Sequence, residues 1–494
     1  MGAFEKDFFI PHHRLSVAEI HPFVAIDCYA HLLQLLLPHR KLSYLAKQFN
    51  KQIIFKGMKK MKFLLWSLFA ISLSLSAQQK PSQWNLESCI RYAMDNNIQV
   101  QKSKITLEQN EVSTQQAKAQ LFPNLSANIG QDLSTTPFPE QGNAVNTYKG
   151  SYSLNSSMTL YNGGKNIKSI RQQELQEEVG KADVLETQKE LEMSILQNYL
   201  QILYALESIK INEATLEVSK YQRDRAEALV TAGSLSKVDL AQLDAQYNSD
   251  KYQLTLAQNT LRSNKLSLKQ LLELSLSEEM EIIAPNLNDL DVLTALPSLQ
   301  SVYETALLVM PQMKSSKLSS EIAELETEKA RAGYIPTVAL QASAGSGHNN
   351  QSSYAFGEQM QYGFNAGIGL NVKIPIFTNK ENKTAVQKAA LSEKTAQLSL
   401  IETEKTLLRE IESVYQDALS AQSQYVSASE KYKALEISYD LIQQQYNLGM
   451  KNTLDLLTEK NNLLSAQQSM LQSKYISLMN IQLLNLYQDI NISL

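Results

Sequence analysis

The chain has 494 residues, 43% of them hydrophobic and 19% charged, with a formal net charge of −4. So little excess charge leaves no basic footprint for a nucleic-acid partner. Of two cysteines, Cys28 and Cys89, the first lies in an atypical leader. Downstream there is neither a disulfide framework nor a cysteine-built metal site.

Residues 1–57 hold five of the six histidines (His12, His13, His21, His31, His39) and show no sustained hydrophobic period. They are expected to be an upstream extension from a misplaced start codon. Residues 58–77 then carry a basic n-region (Lys59, Lys60, Lys62), the apolar run Phe63–Leu75 and small residues ending at Ala77. This is the pattern of a secretory signal peptide. The apolar run is shorter than the roughly 20 residues of a spanning helix, and no Leu-x-x-Cys pattern predicts a lipid anchor.

The remainder is duplicated. At an offset of 213, Leu86 meets Leu299, Ala93 meets Ala306, Ala117-Lys118-Ala119 meets Ala330-Arg331-Ala332, and Pro123 meets Pro336. At an offset of 216, Tyr199 meets Tyr415, Gly233 meets Gly449, and Asp239 meets Asp455. A repeat of this length is a duplicated domain-sized unit rather than a solenoid module. The expected units are 78–284 and 299–494, joined by a linker at 285–298.

In chain order, each half reads helix, strand, strand, long helix, tight turn, helix. The opening helices, like the closing ones, are expected to be about 35–40 residues long and to stack end to end beside the long helix. No proline occurs between Pro139 and Pro285 or after Pro375, so these stretches read as very long helices. A helix from Lys165 to Val230 is about 100 Å long at 1.5 Å per residue. Ile195, Tyr199, Ile202, Leu206 and Ile209 repeat in steps of four and three, which is coiled-coil spacing.

Strands are expected at about 124–133, 150–161, 336–345 and 362–374. In the last, Tyr362, Phe364, Ala366, Ile368, Leu370, Val372 and Ile374 alternate with smaller or polar residues, a period of two. These lengths suit tilted transmembrane strands, with polar loops near Gln131–Lys149 and Gly345–Gln361. His348 falls in the second loop and is expected to be inert. Aromatics flanking the strands, from Phe122 to Phe377, suggest interfacial girdles against outer-membrane lipid. Four strands leave two open edges in lipid. Eight strands have a filled interior and twelve leave a pore, so three chains are the simplest closure that makes a conduit.

The duplicated unit, the Ala117-Lys-Ala-Gln-Leu-Phe-Pro-Asn-Leu125 approach to the first strand, and two Gly-x5-Asp turns resemble TolC-like outer membrane efflux proteins. The resemblance covers about Leu86 to Asp489. It implies a mostly α fold with a small membrane β part. That fold is a homotrimer with a twelve-stranded outer-membrane β-barrel continuous with a periplasmic α-helical coiled-coil barrel. It also implies a Gram-negative outer-membrane location and a passive exit duct of a tripartite efflux or type I secretion system. The implied partners are a periplasmic membrane fusion (adaptor) protein and an inner-membrane transporter. No cofactor, metal or catalytic group is expected, and the chain is not expected to be an enzyme. A soluble periplasmic coiled-coil scaffold or adaptor is the competing reading.

The two turns carry the candidate residues. Locally, glycine suits a left-handed helix end and Ser236 or Asn452 suits the next N-cap. The resemblance adds adaptor docking at Gly233, Ser234, Leu235, Ser236, Gly449, Met450, Lys451 and Asn452. It also implies a pore constriction at Asp455, held by Tyr446 and Lys451 reaching toward Asp239. Where the family has a second pore acid, this chain has Thr458.

Overall fold

The computed structural model describes residues 83–138, 146–275, 277–285, 292–490 and 492. The chain divides into Met1–Lys80 and Pro81–Leu494, and all that follows concerns the second unit. The leader readings for 1–57 and 58–77 lie outside the described residues.

Asn85 starts the first helix with a reciprocal capping box: its Oδ1 accepts from Ser88 N at 2.8 Å, and its N–H donates to Ser88 Oγ at 3.0 Å. The elements are β1 (Gln83–Trp84), α1 (Leu86–Asn96), α2 (Ile98–Ala119), β2 (Asn124–Thr135), β3 (Asn146–Tyr161), α3 (Lys165–Thr231) and α4 (Lys237–Leu271). Then come β4 (Glu281–Ile282), α5 (Leu299–Val309), α6 (Pro311–Arg331), β5 (Thr337–Asn349), α7 (Phe356–Tyr362), β6 (Asn365–Lys373), α8 (Glu381–Asn447) and α9 (Thr453–Tyr487). The long helices α3 and α8 both have 67 residues, and α4 and α9 both have 35.

The structure corrects three local readings. The opening helix of each half is not continuous. In the first half Asn97 is extended at φ −64°, ψ 130°, and its side chain accepts from Gln99 N and Val100 N to cap α2. In the second half Pro311 disfavours a helical Met310, which sits at φ −72°, ψ 127°. The last strand starts at Asn365 rather than 362, because Glu358 accepts from Ala355 N and starts the short helix α7, which ends at Gly363. The β3–β5 ladder also runs further than expected, from Tyr161↔Val338 to Lys149↔Asn349. His348 therefore lies on a strand, packed against Tyr148, Tyr152 and Phe356.

The four long strands form one antiparallel sheet in the order β2-β3-β5-β6. Its register puts all side chains of one parity on one face. Leu125, Ile129 and Leu133 share a face with Tyr152, Leu154 and Met158, with Leu340 and Ala342, and with Ile368, Leu370 and Val372. The opposite face carries Asn128, Asp132, Lys149, Ser153, Asn155, Gln341, Ser343, Asn371 and Lys373.

Below the sheet, α2, α3, α6 and α8 pack side by side in that order, and further down the order is α4, α3, α9, α8. Asn97 joins the two levels, because its Nδ2 donates to the Leu271 carbonyl at the end of α4. The expected end-to-end stacking is thus made by the residue that also breaks the opening helix. The main core sits at this junction. Ile195, Leu196, Tyr199, Ile202 and Leu203 of α3 meet Leu268, Leu272, Leu471 and Tyr475. Burial pushes the Tyr199 phenol up to about 12, and its hydroxyl donates to the Ile283 carbonyl beside β4. Burial also pushes the Cys89 thiol up to about 12, which keeps it protonated and inert.

Replacing Asn97 by Ala removes both the cap and the tie to Leu271. Thermal unfolding should show a loss of about 1–2 kcal/mol. Asn97→Ser, which keeps a cap but not the tie, should fall between the two. Equal stability of all three proteins would refute the joint.

Candidate functional site at the two helical turns

The α3–α4 and α8–α9 turns have the same hydrogen-bond pattern because they have the same residue logic. Gly233 and Gly449 sit at φ +75° and +74°. Ser234 N donates to Leu229 O and Gly233 N to Val230 O, while Met450 N donates to Gln445 O and Gly449 N to Tyr446 O. This is the Schellman closure, which a left-handed residue at C′ makes possible. Ser236 Oγ accepts from Asp239 N at 3.1 Å, and Asn452 Oδ1 accepts from Asp455 N at 2.8 Å. Both turns are therefore rigid corners, and a Cβ on either glycine would meet nothing within 4 Å.

The corners present an unusual surface. Val238, Leu448, Met450 and Leu454 are each at least 64% exposed. Lys237 and Lys451 stand beside them. Exposed apolar side chains on rigid backbone are the composition of a contact surface rather than of a solvated loop.

The expected constriction residues are brought together only in part. Lys451 Nζ, just before the α9 N-cap, lies 3.7 Å from Asp455 Oδ2 in the first turn of α9. Within this chain it does not reach Asp239, and the Tyr446 hydroxyl makes no hydrogen bond among the described residues. Asp239 instead bonds Ser236 Oγ at 2.6 Å. The Ser236 hydroxyl, then the nearby Thr453 hydroxyl, hold its carboxyl below the usual carboxylate range. A depressed pKa means that this contribution is complete above the ordinary carboxylate range and is lost as pH falls through the lowered value. At neutral pH Asp239 therefore presents its charge at the corner.

The contact between the two turns that sequence reasoning missed is Arg225 Nη1 to Asn447 Oδ1. Its signal was faint: two polar residues, eight positions before Gly233 and two before Gly449, far apart in sequence.

The architecture now meets its relatives. The sequence profile described as outer membrane efflux protein matches residues 89–273 and 302–488. The chain belongs to that family. It is similar to the outer membrane protein TolC of Salmonella enteritidis, 21% identical over 433 residues, covering 85% of this chain and 84% of TolC. Among solved structures it shares its fold with CusC, at a TM-score of 0.72 and 18% identity, covering 82% of this chain and 91% of CusC. It also shares it with VceC of Vibrio cholerae, at 0.69 and 17%, covering 82% and 96%. The family is made of channel proteins, not enzymes. Its members are proteins of the Gram-negative outer membrane, which sets aside the soluble scaffold. No described helix is long and apolar enough to cross a membrane.

Gly233→Ala and Gly449→Ala should each cost about 1 kcal/mol, because only backbone strain is introduced where space is open. Asn at either position should recover part of that. Thermal unfolding of the purified protein reads the difference, and no loss from either alanine would contradict the left-handed corners.

Proposed function

We propose that the chain is the outer-membrane exit duct of a tripartite efflux or type I secretion system. Cargo passes through it passively, driven by an inner-membrane transporter through a periplasmic adaptor. Three copies close a twelve-stranded barrel in lipid and an α-helical barrel below it. The observation that carries the reading is the two-faced sheet with two unpaired edges. One face is apolar along all four strands and the other is polar. A lipid-facing exterior and a wet lumen require that division, and lipid does not tolerate open strand edges.

The edges of the helical levels support ring closure in the same sense. Ile98, Ile105 and Val112 form a heptad-spaced exposed stripe on the edge helix α2, and Leu391, Leu398 and Ile401 form another on α8. Bonds Asn110–Gln176, Ser315–Asp183 and Asn382–Gly333 fix the relative heights of α2, α3, α6 and α8. On that scale Ile105 is level with Leu398 and Val112 with Leu391. Two different edges, each matching the other, make a head-to-tail interface that closes into a ring. The aromatics support the depth of the sheet. Phe122, Tyr161, Tyr334 and Phe377 gather at its helix end, and Tyr148, Tyr354, Phe356 and Tyr362 at its loop end, all exposed.

In this reading the glycine corners are the adaptor's docking surface, and rigid backbone with exposed Leu448, Met450 and Val238 is what supports it. Asp455, repeated three times about one axis, lines the entrance and favours cations. Tyr446, Lys451 and Asp239 then bond between protomers.

One cell-based experiment separates the membrane end from the docking end. Ile368→Arg puts a charge on the apolar face at a cost of about 2–4 kcal/mol at mid-bilayer depth, so outer-membrane trimers and export should both be lost. Gly233→Trp with Gly449→Trp should abolish export while trimers remain. Normal trimers with Ile368→Arg would overturn the membrane face. Normal export with both tryptophans would overturn the docking surface.

A further inference from the structure

At mid-height one side of the α3–α9 pair carries a covering layer. Tyr199 of α3 donates to the Ile283 carbonyl, and Ser477 of α9 donates to the Val292 carbonyl at 3.0 Å. Trp84 of β1 and Leu86 and Cys89 of α1 join the same core. At 3.6 residues per turn, Gln197, Gln201 and Tyr204 lie on the far side of α3 from Tyr199, and Gln472, Tyr475 and Met479 on the far side of α9 from Ser477. These six residues line a cleft of about 260 Å³. The cleft lies between the middle two of the four helices at this level, α4, α3, α9 and α8, so copies that meet at the outer two leave it open. Tyr475 is 4% exposed, yet its hydroxyl has no hydrogen-bond partner among the described residues. An unsatisfied buried hydroxyl costs stability, and phenylalanine supplies the same ring without that cost. Burial pushes the Tyr475 phenol above its usual range, so at neutral pH it remains a donor. The rings of Tyr204 and Tyr475 meet nearly at right angles, with centroids 6.0 Å apart. The three glutamines supply amides, and no charged side chain lines the cleft.

We propose that this cleft is a binding site on the lumen wall of the duct for small, flat, uncharged aromatic molecules that carry a hydrogen-bond acceptor. The proposal rests on the duct reading, in which the covering layer faces outward, because inside the ring it would fill the bore. Each chemical part of the cleft selects one feature of such a molecule. The aromatic corner takes a ring edge-on or offset-stacked, and the Met479 thioether packs against it. The Tyr475 hydroxyl donates to the acceptor, and the glutamine amides both donate and accept. An ion finds no partner of opposite charge on the wall. A site on a conduit must also let its occupant go. Its volume is below the roughly 300–1,000 Å³ of pockets that enclose a drug-sized ligand, so an occupant stays partly in the bore. Three copies place three such sites at one height.

The probe is prodan, an uncharged naphthyl ketone whose emission moves to the blue out of water. Titrated into the purified protein in amphipol, it should give saturable blue-shifted emission at one dye per chain, above that of amphipol alone. Gln472→Trp, at an exposed position, fills the cleft and should abolish the saturable part. Tyr475→Phe should melt no lower than the unaltered protein and bind prodan roughly fivefold more weakly, the share of one hydrogen bond. No saturable binding by the unaltered protein, or binding unchanged by Gln472→Trp, refutes the cleft. Equal affinity with Tyr475→Phe refutes the part given to the hydroxyl, and if that variant does not fold, Gln472→Trp alone decides. In planar bilayers prodan should lower the single-channel conductance of the unaltered protein and leave Gln472→Trp unaffected. A saturably bound dye that leaves conductance unchanged refutes the lumen placement. A conducting channel that binds no prodan sinks the cleft alone, whereas saturable binding by a protein that forms no channel sinks the duct reading and leaves the cleft.

Discussion

Hydrogen-bond demand at the two edges of a four-stranded sheet is the constraint on which the rest of this molecule depends. Every backbone N–H and C=O inside lipid requires a partner, and among the described residues no strand pairs with the outer side of β2 or β6. The helical levels inherit the same condition. Each is four elements wide, with α2 or α4 at one edge and α8 at the other. What the strands require of hydrogen bonds, the helices repeat in apolar stripes. In the proposed duct the chain is a stave, its open edges met by further copies of itself.

Duplication explains how so long a stave is specified. A helix of 67 residues has no compact core to fix its register, so the sequence fixes it at discrete points. Asn97 ends one helix, caps the next and bonds a third. At the corresponding place in the second half, Pro311 gives the same break by forbidding a helical predecessor. At mid-height the core is apolar, and toward the turns buried Leu243, Leu456 and Ala226 share it with buried Asp250 and Lys460.

Much of this was legible in the chain itself. Proline-free stretches and left-handed glycines defined the long helices and their corners, and Gly233 and Gly449 adopt the expected geometry. Alternation placed the four strands, and Ile195, Tyr199 and Ile202 proved to be core. The helix breaks escaped because Asn97 is an ordinary polar residue until its side chain finds Leu271, 174 positions away. The residues 362–364 escaped because α7 is set by the local Glu358–Ala355 bond, which overrides a period-two pattern. At the corners, Lys451 is expected to reach toward Asp239, and within the chain it lies beside Asp455 instead. The Arg225–Asn447 bond and the buried Lys460–Asp250 pair depend on pairings more than 200 residues apart, which periodicity does not encode.

The central claim is that the two unlike edges of one chain meet on the next. Site-directed cross-linking tests it directly, with Cys28 and Cys89 replaced by Ser and the pair Ile105→Cys and Leu398→Cys introduced. Mild oxidation in outer-membrane vesicles should give covalent dimers and trimers and nothing larger. Ile105→Cys with Leu391→Cys, displaced by one heptad or about 10 Å, should give almost none. Monomers only from the first pair, or more efficient linking from the second, would contradict closure through these edges.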